Sequence, residues 1–363
     1  MNDLSKNYIF FSFLILCILN SLSIDAQNGS VHDDYISLGL LVNEQNEIEA
    51  SCAARLAIEE INHNGGVHGK SLKLIIRSVE GSWGTGSREV VDLVFKEKVV
   101  AVLGSIDGRN SHLAEQVIAK TQVTYVSAWA TDPSLSKAYV PWYFSAVPTD
   151  DQQAKFFLDK IGMKNGQQHI LVVHDESYDA QQALKSLYQA LNESKNFKIT
   201  AASSQHSESK DMLSRIVKNN LDAIILLGRQ IPFSSISNQI EESGKTIPVY
   251  ANLAALSSNN DTGSGYEKRN QSFLINTKSG LRDQATAFQK AFLQKCNAHP
   301  GPVATYAYDG IMIISQALKQ SGNEVGRLQK SMSQINYQGV TGTVQFDSQG
   351  RLKNIGELLL IKE

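Results

Sequence analysis

Short apolar runs alternate with amphipathic segments from Tyr35 onward, and that alternation constrains the fold more than any other feature of the chain. Ile36–Val42 reads as a strand, and Ala50–Asn62 sets Ala53, Ala54, Ala57, Ile58 and Ile61 at helical spacing before Gly65-Gly66 stops the helix. Strand Leu72–Ile76, helix Ser87–Lys96, strand Val99–Leu103, helix Ser111–Lys120 and strand Thr124–Ser127 follow. Continuously apolar strands separated by helices predict a parallel sheet covered on both faces.

The pattern pauses at Pro141–Pro148, an aromatic segment bracketed by prolines, and then restarts. Helices are expected at Asp150–Ile161, Ala180–Leu191, Ser209–Val217 and Ile236–Glu242. Strands are expected at His169–His174, Lys198–Ala202, Ala223–Leu227 and Pro248–Ala251. Two α/β units result, each doubly wound. Ser257–Asn270 is rich in Asn, Ser and Gly and reads as a surface loop. Helices at Gln284–Lys295, Tyr306–Gln320 and Glu324–Met332 and strands at Gly342–Phe346 and Leu358–Ile361 complete the chain.

Composition agrees with two domains. The chain has 363 residues, 42% of them hydrophobic, enough for two cores without metals. Its formal charge is −2, with no long run of either sign, which argues against nucleic acid as a partner. Lys6 precedes the apolar run Ile9–Leu19, and small and polar residues lead to Ala26, the layout of a secretory signal peptide. A retained signal-anchor is the alternative, although the run is short for a bilayer span. Cleavage after Ala26 leaves a mature net charge of −1, from 33 basic and 34 acidic residues. Cys52 and Cys296 then remain, each inside a helical pattern. The expectation is two buried, unpaired thiols, with one bridge as the alternative in an oxidising compartment.

Motifs for catalysis are absent. No G-x-G-x-x-G fingerprint, Walker lysine, G-x-S-x-G elbow or H-E-x-x-H pair occurs. Gly81-Ser82-Trp83-Gly84-Thr85-Gly86 lacks the dinucleotide spacing and reads as a strand-to-helix loop. The eight histidines are scattered, with no metal-ligand spacing. The expectation is a protein that is not an enzyme and carries no cofactor or metal.

Three segments add a resemblance. Ala57–Gly69 with Leu72-Lys73-Leu74, then Tyr306-Ala307-Tyr308-Asp309-Gly310, then Gly339–Gly350 are similar, in order, to signatures of the periplasmic leucine/isoleucine/valine-binding family. The resemblance covers essentially all of Tyr35–Glu363. It implies a type I periplasmic-binding-protein fold, with two doubly wound parallel-sheet lobes joined by three chain crossings. The crossings fall near Ala146–Asp150, Ile275–Gly280 and Ser333–Gly339. Lobe one then takes residues 35–147 and 278–334, and lobe two takes 148–277 and 335–363. Ligands of open α/β sheets bind beyond the carboxyl ends of the strands, so the intervening loops should line a cleft that closes by hinge motion.

The resemblance assigns the cleft residues. Ser105, Asp107, Gly108, Asn110 and Ser111 lie in the loop that in this family meets a ligand carboxylate through a hydroxyl and helix N-terminal N–H groups. Gly108 aligns with the usual ligating serine, so only its N–H is retained. Ser111 is either a ligand contact or the helix N-cap. In the next loop Thr131 occupies a ligating position beside Ala130, and Trp129 is either an apolar wall or packing between lobes. Tyr178 matches a ligand-facing tyrosine on lobe two. Arg229 and Gln230 replace residues that are commonly aromatic. Asn252 precedes Leu253, which stands where amino-acid binders carry the acid for the ligand ammonium.

The implied function is an exported, periplasmic solute-binding protein that captures a small metabolite such as an amino acid, amide or small carboxylate. It would work as a monomer and deliver its ligand to a membrane ABC permease. A ligand-sensing subunit for a membrane receptor or kinase is the first alternative, and a secreted enzyme is the second. With no apolar span following Glu363, a single-chain receptor is not expected.

Overall fold

The apolar runs assemble into two sheets with the same strand order. The computed structural model describes residues 35–44, 48–162, 166–192, 196–205, 220–257, 272–276, 282–322, 325–353 and 357–360. The leader, the helix expected at Ser209–Val217 and nearly all of the loop expected at Ser257–Asn270 lie outside the described residues.

The first sheet contains β1 (Tyr35–Val42), β2 (Ser71–Ser78), β3 (Ala101–Ser105), β4 (Thr124–Ser127) and β5 (Tyr143–Ser145), in the order β2-β1-β3-β4-β5. The pairings β1 with β3, β3 with β4 and β4 with β5 are all parallel. Helices α1 (Ile48–His63), α2 (Thr85–Phe95) and α3 (Gly108–Thr121) connect successive strands, and the short α4 (Pro133–Lys137) lies between β4 and β5. The second sheet begins after α5 (Asp150–Ile161). It holds β6 (Gln168–His174), β7 (Phe197–Ser203), β8 (Ala223–Leu227), β9 (Val249–Ala251) and β10 (Ser272–Asn276), with α6 (Tyr178–Asn192) and α7 (Phe233–Glu242) among its connections. Its order, β13-β10-β9-β8-β6-β7, repeats that of the first sheet and adds β13 (Glu357–Leu360) antiparallel at one edge. In each sheet the order reverses between the first and third strands, and an open α/β sheet forms its ligand crevice at that switch point.

Helices α8 (Arg282–Cys296) and α9 (Pro302–Ser321), followed by α10 (Leu328–Ser333) and the hairpin β11 (Tyr337–Gly339) and β12 (Gly342–Val344), complete the structure. The pause between prolines contains the three-residue strand β5, too short for alternation to reveal. The helix expected at Glu324–Met332 is a 3-10 turn, Val325–Arg327, running into α10. The strand expected at Gly342–Phe346 stops at Val344, and Phe346 instead bridges to Leu352 and packs its ring 5.1 Å from that of Phe144.

The three signature segments form one contact network. Asp309 on α9 is fully buried, and its carboxylate accepts hydrogen bonds from the backbone N–H groups of Val340 (3.0 Å) and Thr341 (2.7 Å) and from the Thr341 hydroxyl (2.5 Å). A side chain at Gly339 would collide with that carboxylate, so glycine is required for the turn to approach. Gly310 lets α9 lie on β3, since a Cβ there would sit 2.4 Å from Leu103. Tyr308 donates to Glu60 on α1 at 2.5 Å, and Asn62 brackets Leu72 at the start of β2 with hydrogen bonds of 2.7 and 2.9 Å.

The cysteines correct the sequence expectation. Cys52 on α1 and Cys296 at the end of α8 form a disulfide across 244 residues, with Cα atoms 6.2 Å apart. Both are partly buried, packed against the core cluster that includes residues from both sheets. Two helical patterns so far apart in sequence carry no sign that α1 and α8 pack side by side.

Replacing Asp309 by alanine strands the buried N–H and hydroxyl of Thr341 and the partly buried N–H of Val340. At about 1–3 kcal/mol for each of the two buried groups left unsatisfied, Asp309→Ala is expected to cost ~2–6 kcal/mol in urea unfolding. A loss below ~0.5 kcal/mol would show that the α9–hairpin contact does not hold the fold.

Candidate functional site

The helices that follow the two switch points bring their N-termini together. Helix α3 begins directly after β3 and is capped by Asp107, which accepts the Asn110 N–H at 2.9 Å and the Asn110 side-chain amide at 2.8 Å. The cap is therefore Asp107 and not Ser111, which lies inside the first turn, fully buried, 3.5 Å from the Tyr125 hydroxyl. An N-cap needs extended backbone before the helix, and Asp107 has it at φ −63° and ψ 166°.

Gly108 leaves its N–H pointing away from its own helix, and the acceptor comes from the second sheet: the Asp179 carboxylate, at 2.9 Å. A Cβ on Gly108 would meet Asp179, Tyr178 and Asp132 together, so glycine permits this close approach. Tyr178, the first residue of α6, donates its hydroxyl to Asp132 at 2.8 Å, and its ring lies 5.6 Å from the Arg109 guanidinium. The same Asp132 oxygen bonds His112 at 3.0 Å, while the other oxygen caps α4 through Ser134. Asp132 is thus the junction of a Tyr178–Asp132–His112 chain linking α6 to the first sheet.

These contacts set the charge states. Although burial opposes ionisation, hydrogen bonds from His112, Ser134 and Tyr178 hold Asp132 well below the usual carboxylate range. His112, bonded to Asp132 and near Glu115, is pushed up to about 9 and is charged at neutral pH. Asp179 is pushed up to about 6 by burial and by the neighbouring Asp107, with the Gly108 N–H and Arg229 acting the other way. Asp150, at 2% exposure, is raised far above its ordinary value by burial, and Asp179, Asp132 and Asp151 add to the shift.

The remaining expected site residues lie at or just after strand ends. Ser105 ends β3 with its hydroxyl buried and unpartnered. Thr131 is buried, its carbonyl accepting the Asp150 N–H at 2.7 Å, and Ala130 accepts from Ser127. Trp129 is buried within the core cluster shared by both sheets. On the second sheet Asn252 is buried and accepts from Gly228 and Ala255. Gln230 is exposed and donates its N–H to Asp175 at 2.8 Å, and the partly exposed Arg229 attracts both Asp179 and Glu49. Asp132, Asp150, Asp179 and His112 were missed. Asp132 precedes a proline and Asp150 opens a predicted helix, so both carried a helix-start signal, whereas nothing in sequence pairs Asp179 with Gly108. Among the described residues no cluster could hold a metal ion, and no helix is long and apolar enough to cross a membrane.

Two sheets of repeated switch-point topology with opposed helix N-termini define the type I periplasmic-binding-protein fold. Residues 49–356 match the family described as receptor family ligand binding region, and the chain belongs to that family. The substrate-binding protein LivJ of Streptococcus pneumoniae, solved in complex with isoleucine, superposes with a TM-score of 0.71 at 21% identity, covering 89% of this chain and 97% of that one. An amino acid binding protein of Pseudomonas aeruginosa is 20% identical over 306 residues, 83% of this chain and 81% of its own. Glutamate receptor 3.1 of Oryza sativa subsp. japonica is 22% identical over 400 residues, and although the match takes in 95% of this chain it spans only 42% of that receptor. The matched proteins are binding and receptor proteins, not enzymes.

The charge states fix a pH dependence. Folded Asp179 and Asp309 keep a proton up to pH about 6, against ~4 in the unfolded chain. Folding therefore takes up protons in that window, and stability falls as pH rises through it. His112 stays charged to about 9 when folded, against ~6.5 unfolded, so a second fall is expected between those values. Allowing for its solvated edge, that fall amounts to ~2 kcal/mol. His112→Asn should abolish the alkaline fall in melting temperature and leave the acidic one, and an unchanged alkaline slope would contradict the assignment.

Proposed function

We propose that this chain is an exported solute-binding protein that encloses a small metabolite between two lobes and hands it to a membrane ABC permease. The observation that carries the proposal is the meeting of Tyr178 and Asp179 with Gly108 and Asp132 at the strand ends of opposite sheets. Contacts of this kind form when the sheets close and part when they open, which is the hinge motion a captured ligand stabilises. The solved neighbour's isoleucine and the bacterial relative's name support a small ligand of amino-acid size.

In this reading lobe one comprises residues 35–147 and 278–334 and lobe two residues 148–277 and 335–363. Residues 1–26 are the export signal, and the protein acts in the periplasm as a monomer. Ser105, Asp107, Gly108, Asn110, Thr131 and Tyr178 face the ligand, with Arg229, Gln230 and Asn252 shaping the far wall. A second reading, a ligand-sensing unit for a membrane receptor, is favoured by the family's description and by the rice receptor. Co-purification with a permease or with a signalling partner separates the two.

A ligand at 100 times its dissociation constant stabilises the folded state by ~2.7 kcal/mol. A thermal-shift screen over amino acids, amides, amines and small carboxylates is therefore expected to raise the melting temperature by several degrees for at least one compound. Thr131→Ala and Tyr178→Ala should weaken that compound's binding at least tenfold while circular dichroism stays unchanged. A library with no stabilising member would overturn the reading, and unchanged affinity in both variants would move the site elsewhere.

A further inference from the structure

The helix N-terminus that suits a ligand carboxylate already holds one of the chain's own. The Gly108 N–H is taken by Asp179, and the Asn110 N–H by Asp107. A ligand carboxylate entering here must displace Asp179 and then stand near ionised Asp132, with like charges repelling across a partly dehydrated gap.

Around the same strand ends lie polar groups without partners. Both carboxylate oxygens of Asp150 are buried without a hydrogen bond of ordinary geometry, and the Ser105 hydroxyl is equally buried and unpartnered. The charges that act most on Asp150 are Asp179, Asp132 and Asp151, all negative, with the Thr131 side chain acting the other way. The nearby cations are otherwise engaged. His112 is bonded to Asp132 and Glu115, Arg109 lies over the Tyr178 ring, and Arg229 acts on Asp179 and Glu49. A buried carboxylate without a counter-charge is costly, and a group that brings both positive charge and N–H donors relieves it.

From this juxtaposition we infer that the ligand is an amine-bearing cation without a carboxylate, seated with its ammonium between Asp150 and Asp179 and donating to one of them, with the Ser105 hydroxyl alongside. The inference rests on the solute-binding reading above and narrows its ligand class. It reverses the polarity expected at this loop, because the first sheet contributes carboxylates where a carboxylate-binding site presents donors. Asp179 gains a second role. By occupying the Gly108 N–H it excludes amino acids that differ from the true ligand only by their carboxyl group, since rejection is strongest where an analogue leaves a buried group unpaired.

The test uses matched compounds titrated into the full-length mature protein by calorimetry: leucine, isoamylamine and isovalerate; arginine and agmatine; lysine and cadaverine. At least one amine should bind, and at least tenfold more tightly than the amino acid that differs from it by the carboxyl group. Asp150→Asn should weaken that amine at least tenfold. Asp179→Asn, which gives up the acceptor's charge at Gly108, should narrow or invert the preference between amine and amino acid, and this readout holds even if the Asp150 variant does not fold. If an amino acid or isovalerate binds wild-type protein as tightly as its amine, the inference is overturned while the solute-binding reading stands. If no member binds, and the broader screen is also silent, both fall.

Discussion

The hydrogen bond between the Gly108 N–H and the Asp179 carboxylate is the contact on which the site's geometry turns. A helix N-terminus exposes N–H groups with no partner of their own, and the helix dipole favours negative charge there. Helix α3 begins right at the switch point of the first sheet, so its free N–H groups face the second sheet. The second sheet, built to the same strand order, starts α6 opposite them, and Asp179 supplies the acceptor. One residue earlier, Tyr178 reaches Asp132, which is itself fixed by capping α4 and by His112. The Gly108–Asp179 and Tyr178–Asp132 hydrogen bonds and the Arg109–Tyr178 contact run side by side between the two sheets, and directional polar contacts of this kind can part and re-form.

The scaffold behind this contact is fixed far more firmly. Buried Asp309 binds the C-terminal hairpin to α9, Gly310 seats α9 on β3, Tyr308 joins α9 to α1, and the Cys52–Cys296 disulfide joins α1 to α8. The first sheet thus reaches the cleft with its strand ends held by long-range contacts on one side and by a few polar bonds on the other. That division suits a protein in which the lobes stay rigid and the gap between them changes.

Much of the fold was legible because it rests on local periodicity. Helix α5 and strands β4 and β8 run where their apolar patterns put them. The elements that escaped notice depend on partners distant in sequence. Strand β5 is three residues between prolines, β10 borders a polar stretch, and the disulfide needs two helices to pack together. Of the residues singled out by family likeness, Gly108 and Tyr178 meet between the sheets, and the loops after β3, β4, β6 and β8 were legible from topology. The charge pattern was not. Leu253 stands where amino-acid binders carry an acid, yet Asp132, Asp150 and Asp179 converge from separate loops and make the gap acidic. Convergence of three loops leaves no trace in the spacing of any one of them.

The proposed ligand sits between the two sheets and touches both. A crystal structure with the compound that most raises the melting temperature tests this most directly. Ligand density is expected within hydrogen-bonding distance of Asp150 or Ser105 on one side and of Tyr178 or Asp179 on the other. Density on the outer surface, or contacts confined to one sheet, would contradict it.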